Sequence, residues 1–375
     1  MHLVSVLPRL FLQFPARDGL TRESLVDPDT APVRPGEELD VTALSHCLRG
    51  KIDGAERGIA VEQFPSGHSN LTYLLRMDGS EYVLRRGPLG PVAPHAHDMS
   101  REFRVLQMLH PHFPEAPKAF YLCEDRAPLG AAFFVMERRR GLILRDDVPS
   151  ELAMVPNHPQ LVSAAFIDCL IRLHAIDVVT TGLAILGKPE GFVERQVVGW
   201  TDRWNRAKTA ELPRMDRVIR WLIDRRPTSP APTMVHNDYK LDNVMLRNSA
   251  DCIEVVLDWE MATVGDPLAD LGLTLCYWAW AEAPQLRSPA QPALTMRPGW
   301  YTRDQIVARY AAKTGRDLSN ISYYEVLGMF KLAVILQQIY YRFRRGQTQD
   351  ARFQHFDKRV KNLVELASSL VEKLS

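Results

Sequence analysis

The segment HNDYKLDN, residues 236–243, contains side chains that suit phosphoryl transfer. The carboxylate of Asp238 can orient an acceptor hydroxyl and take its proton, and Lys240, two positions later, can face the transferring phosphoryl group. Asn243, five residues after Asp238, can offer an amide oxygen to Mg²⁺, which prefers hard oxygen ligands. We therefore predict a catalytic loop in which Asp238 and Lys240 are catalytic and His236 is structural.

A second metal ligand is predicted twenty residues after Asp238, where Asp258 ends the apolar run IEVVLD. The end of a strand is a rigid position, so Asn243 and Asp258 together could hold Mg²⁺ near the phosphates. The loop resembles the kinase pattern H-R-D-x-K-x-x-N, and LDWE stands where kinases have D-F-G. Two alternatives are a polar turn before a strand and a zinc site that uses His236 and Asp238, although no third histidine or cysteine lies close in sequence.

A glycine-containing turn, FPSGHSNLTY (64–73), lies between two predicted strands. Backbone amides in such a turn can approach the phosphates of a nucleotide; an ordinary hairpin loop is the alternative. The residues predicted to contact nucleotide here are Gly67, Ser69 and Asn70.

Arg85, in YVLRR, occupies the position where kinases carry a lysine on their third strand. Glu102, on the next predicted helix, suits the acid that pairs with it, and the pair would hold the α- and β-phosphates. Arginine keeps the charge but differs from lysine in reach and geometry. The alternatives are that Arg86 takes this role, or that both arginines are surface charge.

The segment FFVMERRRG (133–141) is predicted to be a hinge whose backbone, from Met136 to Arg138, pairs with the edge of a nucleobase. A plain interior strand is the alternative. If the arginines that follow the hinge face the cleft, they favour an anionic acceptor; if they face water, they carry no such information. These arginines are Arg138, Arg139, Arg140 and Arg145.

The elements that position these residues fall into two groups. A β-rich part has a hairpin with Asp78-Gly79 at its turn, a helix over 100–109 and a strand over 131–139. A helical part follows, with a short β island over 234–260 in which the segments 244–248 and 253–260 form a β-hairpin. Its predicted helices are 159–177, 197–208, 215–224, 304–313 and 324–343.

This pattern predicts an α+β fold of the bilobal protein-kinase type, with a small antiparallel β lobe and a larger helical lobe. We assign 1–35 to a flexible leader, 36–138 to the nucleotide-binding lobe and 139–375 to the lobe with the catalytic loop and acceptor site. A targeting presequence is an alternative for the leader. GLAILGKP (182–189) nearly matches a phosphate-binding loop, but Pro189 stands where a hydroxyl residue is needed and no strand precedes it, so we reject that function.

Composition excludes some classes of partner. The net charge of +1 among 375 residues gives no general attraction to nucleic acid or to an anionic membrane. Five scattered cysteines without a CxxC pattern predict reduced thiols in a cytoplasmic protein. The predicted partners are a nucleotide and a small hydroxylated substrate, and the sequence gives no oligomeric state.

The motifs HNDYKLDNVML, VLDWEMATVGDPLADLG, SGHSNLTYLLR and REFRVL resemble those of the aminoglycoside phosphotransferase (APH) family, in the branch also found fused to acyl-CoA dehydrogenase domains. The resemblance covers about residues 36–345. It implies transfer from ATP or GTP to a small-molecule hydroxyl, with Asp238 as base and with Asn243 and Asp258 on Mg²⁺. For this branch it suggests hydroxyacyl acceptors, as CoA thioesters or free hydroxy acids.

Two features argue against a protein kinase. Only Met261 to Val264 separate LDWE from GDP, which leaves no room for an activation loop, and about a hundred residues separate the hinge from Asp238. The function predicted is therefore that of a small-molecule kinase. The alternative is a catalytically weak, nucleotide-binding pseudokinase, since Arg85 replaces lysine and DWE replaces D-F-G.

Overall fold

The structure is a computed structural model, and the residues it describes are 29–65, 70–88, 98–145, 147–278, 294–348 and 350–375. Gly67 and Ser69, which were predicted to contact nucleotide, lie outside the described residues. No helix within these ranges is both long enough and apolar enough to cross a membrane.

The N-terminal elements form a small antiparallel lobe. Its helices and strands are α1 (Val41–Leu48), β1 (Ala60–Gln63), β2 (Leu71–Met77), β3 (Ser80–Arg86), α2 (Met99–Leu109), β4 (Ala119–Cys123) and β5 (Phe133–Glu137). The five strands pair in the order β1-β2-β3-β5-β4. Asp40 and Asp98 cap α1 and α2, each accepting a hydrogen bond from an amide of the first turn. The predicted sheet with one crossing helix is confirmed, and β4 is an additional strand.

A tight turn joins β2 to β3 and fixes which face each β3 side chain takes. Asp78 and Gly79 have positive φ angles of 48° and 76°, as the predicted Asp-Gly hairpin requires. Since successive side chains of a strand point to opposite faces, Arg85 and Arg86 diverge. Arg85 lines the cleft beneath the sheet, whereas Arg86 is buried inside the small lobe.

The larger part of the chain is helical. Its helices are α3 (Ser150–Ala153), α4 (His158–His174), α5 (Phe192–Ala207), α6 (Pro213–Asp224), α7 (Pro267–Tyr277), α8 (Arg303–Thr314), α9 (Ile321–Arg344) and α10 (Phe356–Leu374). Four short strands accompany them: β6 (Thr233–Val235), β7 (Val244–Leu246), β8 (Ile253–Val256) and β9 (Thr263–Gly265). The predicted hairpin is the β7–β8 pair. A second pair, β6–β9, was missed because three-residue strands leave too short a pattern.

Two glycines allow α7 and α9 to cross closely. A Cβ at Gly272 would lie 2.5 Å from the carbonyl oxygen of Tyr324, and one at Gly328 would lie 3.1 Å from the carbonyl oxygen of Gly272. Because only a residue without a side chain fits this contact, the crossing fixes α9 against the centre of the lobe. It brings Nζ of Lys331 within 2.9 Å of the carbonyl oxygen of Asn237, next to the predicted base.

Candidate active site

The loop that follows β6 brings together the three residues predicted from its sequence. Oδ2 of Asp238 accepts hydrogen bonds from Nζ of Lys240 and from Nδ2 of Asn243, each at 2.9 Å. The Asn243 amide also donates to the carbonyl oxygen of Asp238, at 2.9 Å. One carboxylate oxygen is thus held by a cation and an amide, which orients the side chain.

The other carboxylate oxygen has a partner that the sequence analysis missed. The hydroxyl of Tyr277, the last residue of α7, donates to Oδ1 of Asp238 at 2.6 Å. Burial and the neighbouring carboxylate raise the pKa of Tyr277 well above its ordinary value, so the phenol stays protonated and remains a donor. No motif indicates this residue, because it lies outside the loop and at a helix end.

Asp270 supports the loop from below. Its two oxygens accept hydrogen bonds from the backbone amides of His236 and Asn237, at 2.6 and 2.8 Å, and one of them also contacts Nε2 of His174 at 3.2 Å. The side chain is fully buried, which alone would raise its pKa, but the bonds from His174 and the loop lower the pKa below its usual range. Asp270 therefore stays ionised and fixes the backbone that carries Asp238.

The GDPLADLG motif thus contains two aspartates with different roles. Asp266 caps α7 as predicted, with Oδ1 accepting from the amide of Leu268 at 2.8 Å. Its Oδ2 accepts from the hydroxyl of Tyr324 at 2.7 Å. Asp270, four residues later, is the one that bonds to the catalytic loop.

His236 connects the loop to the strand that precedes Asp258. Its Nδ1 accepts from the amide of Asp238 at 3.2 Å, so Nε2 carries the proton and donates to the carbonyl oxygen of Leu257 at 2.8 Å. Both ring nitrogens are engaged within the protein. This agrees with the predicted structural role of His236.

Asn243 and Asp258 lie at the same end of the β7–β8 hairpin. The amide of Leu257 donates to the carbonyl oxygen of Asn243 at 2.8 Å, which links the two segments. Asp258 stands just beyond β8 with φ and ψ both 64°, a conformation that turns its carboxylate out of the strand, and its side chain is 36% exposed. Since Nδ2 of Asn243 is bound to Asp238, its Oδ1 is left to accept, and with the Asp258 carboxylate it forms a donor set of hard oxygens that fits Mg²⁺.

Across the cleft, Arg85 joins the small lobe to Asp258. Its guanidinium donates to Oε1 of Glu102 at 2.6 Å and to Oδ1 of Asp258 at 3.2 Å. Burial, together with neighbouring carboxylates, raises the pKa of Glu102 to about 7, although Arg85 acts in the opposite direction. Arg86 instead donates to the carbonyl oxygen of Leu129 and to the hydroxyl of Tyr73, so the alternative that Arg86 faces the cleft is wrong.

A cleft of about 490 Å³ is lined by Arg85 and Glu102 of the small lobe and by Asn243 and Asp258 of the helical lobe. The predicted site residues that line it are Asn70, Arg85, Glu102, Met136, Arg138, Lys240, Asn243 and Asp258. Nδ2 of Asn70, just before β2, donates to Oε2 of Glu260 at 3.0 Å, which connects the small lobe with the segment after Asp258.

The hinge borders the same cleft. Met136 is paired with β3 on one side and β4 on the other, and the amide of Glu137 donates to the carbonyl oxygen of Lys118 at 2.8 Å. Beyond Glu137, the side chain of Arg138 is 4% exposed, donates to Asp29 and lies over the ring of Phe64.

Of the four arginines predicted to follow the hinge, three line the cleft and one lies on the surface. Arg138, Arg139 and Arg145 line the cleft. Arg139 also donates to the carbonyl oxygens of Pro114 and Glu254, at 3.0 and 3.1 Å. Arg140 pairs with Glu81 with its own side chain 65% exposed, which is the arrangement of a surface charge.

The chain has a small antiparallel lobe and a helical lobe. The loop that carries Asp238 and the Arg85–Glu102 pair lie on opposite sides of the cleft. Together these features define a phosphotransferase of the kinase-like class. Residues 60–301 match the sequence model of the phosphotransferase enzyme family, APH, and the chain belongs to this family.

Similarity to individual proteins supports the same assignment. The chain is 33% identical over 349 residues to acyl-CoA dehydrogenase family member 10 of Mus musculus, with 92% of this chain and 32% of that protein covered, so it spans about a third of that relative. An APH-type structure from Ralstonia eutropha JMP134 shares 30% identity and a TM-score of 0.77, covering 90% of this chain and 99% of that one. A thermostable mutant of the aminoglycoside phosphotransferase APH(4)-Ia, solved with AMP-PNP and hygromycin B, shares the fold, with 15% identity, a TM-score of 0.53 and coverage of 87% and 99%.

Proposed function

We propose that this protein transfers the γ-phosphoryl group of ATP to a hydroxyl of a small acceptor, with GTP as the alternative donor. In this proposal residues 36–138 bind the nucleotide and residues 139–375 carry the acceptor site. The observation that carries it is the carboxylate of Asp238, held by Lys240 and Asn243 on one oxygen and by Tyr277 on the other, beside the cleft.

In this proposal, each residue of the site has its own role in the reaction. Asp238 accepts the proton of the acceptor hydroxyl as that oxygen attacks phosphorus in line, and Lys240 offsets negative charge on the group in transfer. Arg85 contacts the α- and β-phosphates while Glu102 holds its guanidinium in place. Catalysis then consists of positioning and charge neutralisation.

Asn243 and Asp258 would hold Mg²⁺, which would neutralise charge on the β- and γ-phosphates. The hinge amides beyond Glu137 and the turn that includes Asn70 would hold the base and the phosphates. Backbone contacts of this kind do not distinguish ATP from GTP by side-chain chemistry, so both donors belong in the assay.

We propose hydroxyacyl compounds as acceptors, either as CoA thioesters or as free hydroxy acids. The name of the mouse relative refers to acyl-CoA chemistry, and that similarity extends over 92% of this chain. The polycationic aminoglycosides are disfavoured because arginines, including Arg138 and Arg139, line the cleft.

The second candidate is a nucleotide-binding protein without efficient transfer. It is supported by the bond from Arg85 to Oδ1 of Asp258, which occupies an oxygen of the proposed metal ligand. Asp238, Asn243 and Asp258 nevertheless have the side-chain types that transfer needs, so we favour the active kinase.

The test is transfer of label from γ-labelled ATP or GTP with magnesium, comparing the wild-type protein with Asp238→Asn. The acceptors are hydroxyacyl-CoAs, free hydroxy acids, choline, sugars and aminoglycosides. We expect the variant to bind nucleotide normally and to lose transfer by at least about a hundredfold. Transfer at the wild-type rate by Asp238→Asn would exclude Asp238 as the base, and binding without transfer to any acceptor by the wild-type protein would favour the second candidate.

A further inference from the structure

A second cavity, of about 310 Å³, opens beside the catalytic loop and is strongly basic. Among the described residues, four cationic side chains line it, from four separate parts of the chain, and no aspartate or glutamate does. The cations are Arg101 of α2, Lys188 of the segment before α5, Arg195 of α5 and Lys331 of α9. We refer to this cavity as the basic pocket.

The basic pocket adjoins the proposed base. Asn237, the residue before Asp238, lines it, and Nδ2 of Asn237 donates to the carbonyl oxygen of Met261 at 3.1 Å. Lys331 lies in its buried part, with Nζ donating to the carbonyl oxygen of Asn237 at 2.9 Å. The basic pocket therefore borders the loop that carries Asp238, on the side of Asn237.

Three of the cations, Arg101, Arg195 and Lys331, are held by backbone carbonyl oxygens. Arg101 donates to the carbonyl oxygens of Glu260 and Ala262, and Arg195 donates to those of Glu190 and Lys188. Within the described part of the chain, none of the four cations forms a salt bridge with a carboxylate. The whole chain has 46 Lys and Arg residues against 45 Asp and Glu, so the excess of cations among the described residues of this cavity is local.

The positions of the rim residues are fixed by a close backbone contact. A Cβ at Gly187 would lie 2.6 Å from the amide nitrogen of Val264 in β9, so this glycine lets the chain pass tightly against that strand. The contact places Lys188 at the pocket. The GLAILGKP segment is thus not a phosphate-binding loop of the G-x4-G-K-[ST] type, yet its lysine lines a cationic cavity.

An exposed charge cluster is common on protein surfaces, but Lys331 is not exposed. Burial lowers the pKa of Lys331 to about 8, because its charge is removed from water, and the nearby carboxylates of Asp238 and Asp270 offset only part of this effect. Keeping an ammonium group buried costs free energy that an anion in the pocket would offset.

We propose that the basic pocket binds an oxyanion of the acceptor, a carboxylate or a phosphate, while the acceptor hydroxyl meets Asp238. The proposal rests on the proposed function, since it takes the ligand to be the acceptor. It restricts the substrate class to hydroxylated compounds that carry negative charge. The charge has two sources, the carboxylate of a free hydroxy acid or a phosphate of the CoA portion of a thioester.

The test measures binding by isothermal titration calorimetry on the full chain without nucleotide, so it does not depend on turnover. Two pairs of probes differ in charge: phosphopantetheine against pantetheine, and hydroxybutanoate against butanediol. Neither charged probe contains adenine, so neither has a base to place in the nucleotide cleft. The variants are Lys188→Gln and Arg195→Gln, and Lys361→Gln on the exposed face of α10 is the charge-matched control.

We expect at least one charged probe to bind more tightly than its uncharged partner, and Lys188→Gln and Arg195→Gln each to weaken that binding about five- to tenfold. Lys361→Gln should leave it unchanged. If these two substitutions weaken the binding of phosphopantetheine, the group bound in the pocket is a phosphate. If they weaken the binding of hydroxybutanoate, it is a carboxylate. The proposal is wrong if both charged probes bind the pocket variants and the wild-type protein equally.

This result is separable from that of the transfer assay. A wild-type protein that phosphorylates an acceptor, but binds charged and uncharged probes alike, refutes the basic pocket and leaves the kinase proposal intact. A protein that transfers to no acceptor, but binds a charged probe through Lys188 and Arg195, refutes the kinase proposal and leaves the anion site intact.

Discussion

The hydroxyl of Tyr277 lies 2.6 Å from Oδ1 of Asp238 and donates a hydrogen bond to it. Lys240 and Asn243 occupy the opposite oxygen, Oδ2. The proposed base is therefore held from two directions, one within its own loop and one from the end of α7. A carboxylate held in this way keeps a lone pair directed at the acceptor without rotating between alternative positions.

Tyr277→Phe should lower kcat about tenfold while leaving KM for the nucleotide nearly unchanged. The substitution removes one charge-assisted hydrogen bond from Asp238 and keeps the aromatic ring. Steady-state kinetics of transfer measure both constants. Tyr323→Phe is the matched control, because the Tyr323 hydroxyl donates to the carbonyl oxygen of Leu222 at 2.8 Å, away from the site. Equal losses of kcat in both variants would show that the Tyr277 hydroxyl contributes only to general stability.

Asp270→Asn should reduce transfer about a hundredfold, because displacing a catalytic group by about 1 Å has an effect of that size. Each oxygen of the Asp270 carboxylate accepts from one of the amides of His236 and Asn237, whereas an asparagine in the same orientation would turn its NH₂ group towards one of them. Asp266→Asn is the control: its oxygen can still cap α7, but the carboxylate oxygen that accepts from the Tyr324 hydroxyl is lost, so the melting temperature should fall and kcat should not. If Asp270→Asn retains wild-type kcat, the loop does not depend on this contact.

The sequence predicted the parts of the site whose residues lie within one motif. The spacing of Asp238, Lys240 and Asn243 within one segment predicted that their side chains would meet, and they do. Tyr277 and Lys331 reach the same loop through the crossing of α7 and α9, which no local pattern encodes. Lys331 left a weaker signal, because it is a single lysine in a mostly apolar helix.

For the fold too, the sequence predicted the elements that have a strong local pattern. The Asp78-Gly79 turn and the long amphipathic helices have strong local patterns, and both were found. Strands β6 and β9 were not, because their pairing joins segments about thirty residues apart and depends on the packed lobe. The choice between Arg85 and Arg86 was open in the sequence, and the alternation of side chains along β3 decides it.

Arg85→Met should raise KM for ATP at least about tenfold and lower the free energy of unfolding by about 3 kcal/mol at a pH where Glu102 is ionised. The reason is that Glu102 would keep a buried charge without its partner, and Asp258 would lose its contact with the small lobe. Denaturant unfolding and initial-rate kinetics measure the two effects.

Arg85→Lys keeps the positive charge but removes the forked set of hydrogen-bond donors of the guanidinium. It should recover most of the lost stability, because an ammonium can still pair with Glu102, and most of the affinity for ATP. If Arg85→Met destabilises the protein but leaves KM for ATP unchanged, Arg85 is a structural ion-pair residue and does not contact the phosphates.

Glu102 should make the nucleotide-free protein less stable as the pH rises. Its carboxyl has a pKa of 4.5 when unfolded, and burial raises that pKa to about 7 in the folded protein. Between these values the folded state binds more protons than the unfolded state, so the free energy of unfolding falls with increasing pH, by about 1 to 3 kcal/mol, and levels off above the folded pKa. Denaturant unfolding across this pH window, for the wild-type protein and Glu102→Gln, measures the difference. The variant cannot ionise at this position, so its curve should be flatter; parallel curves would mean that Glu102 is already ionised throughout as the partner of Arg85.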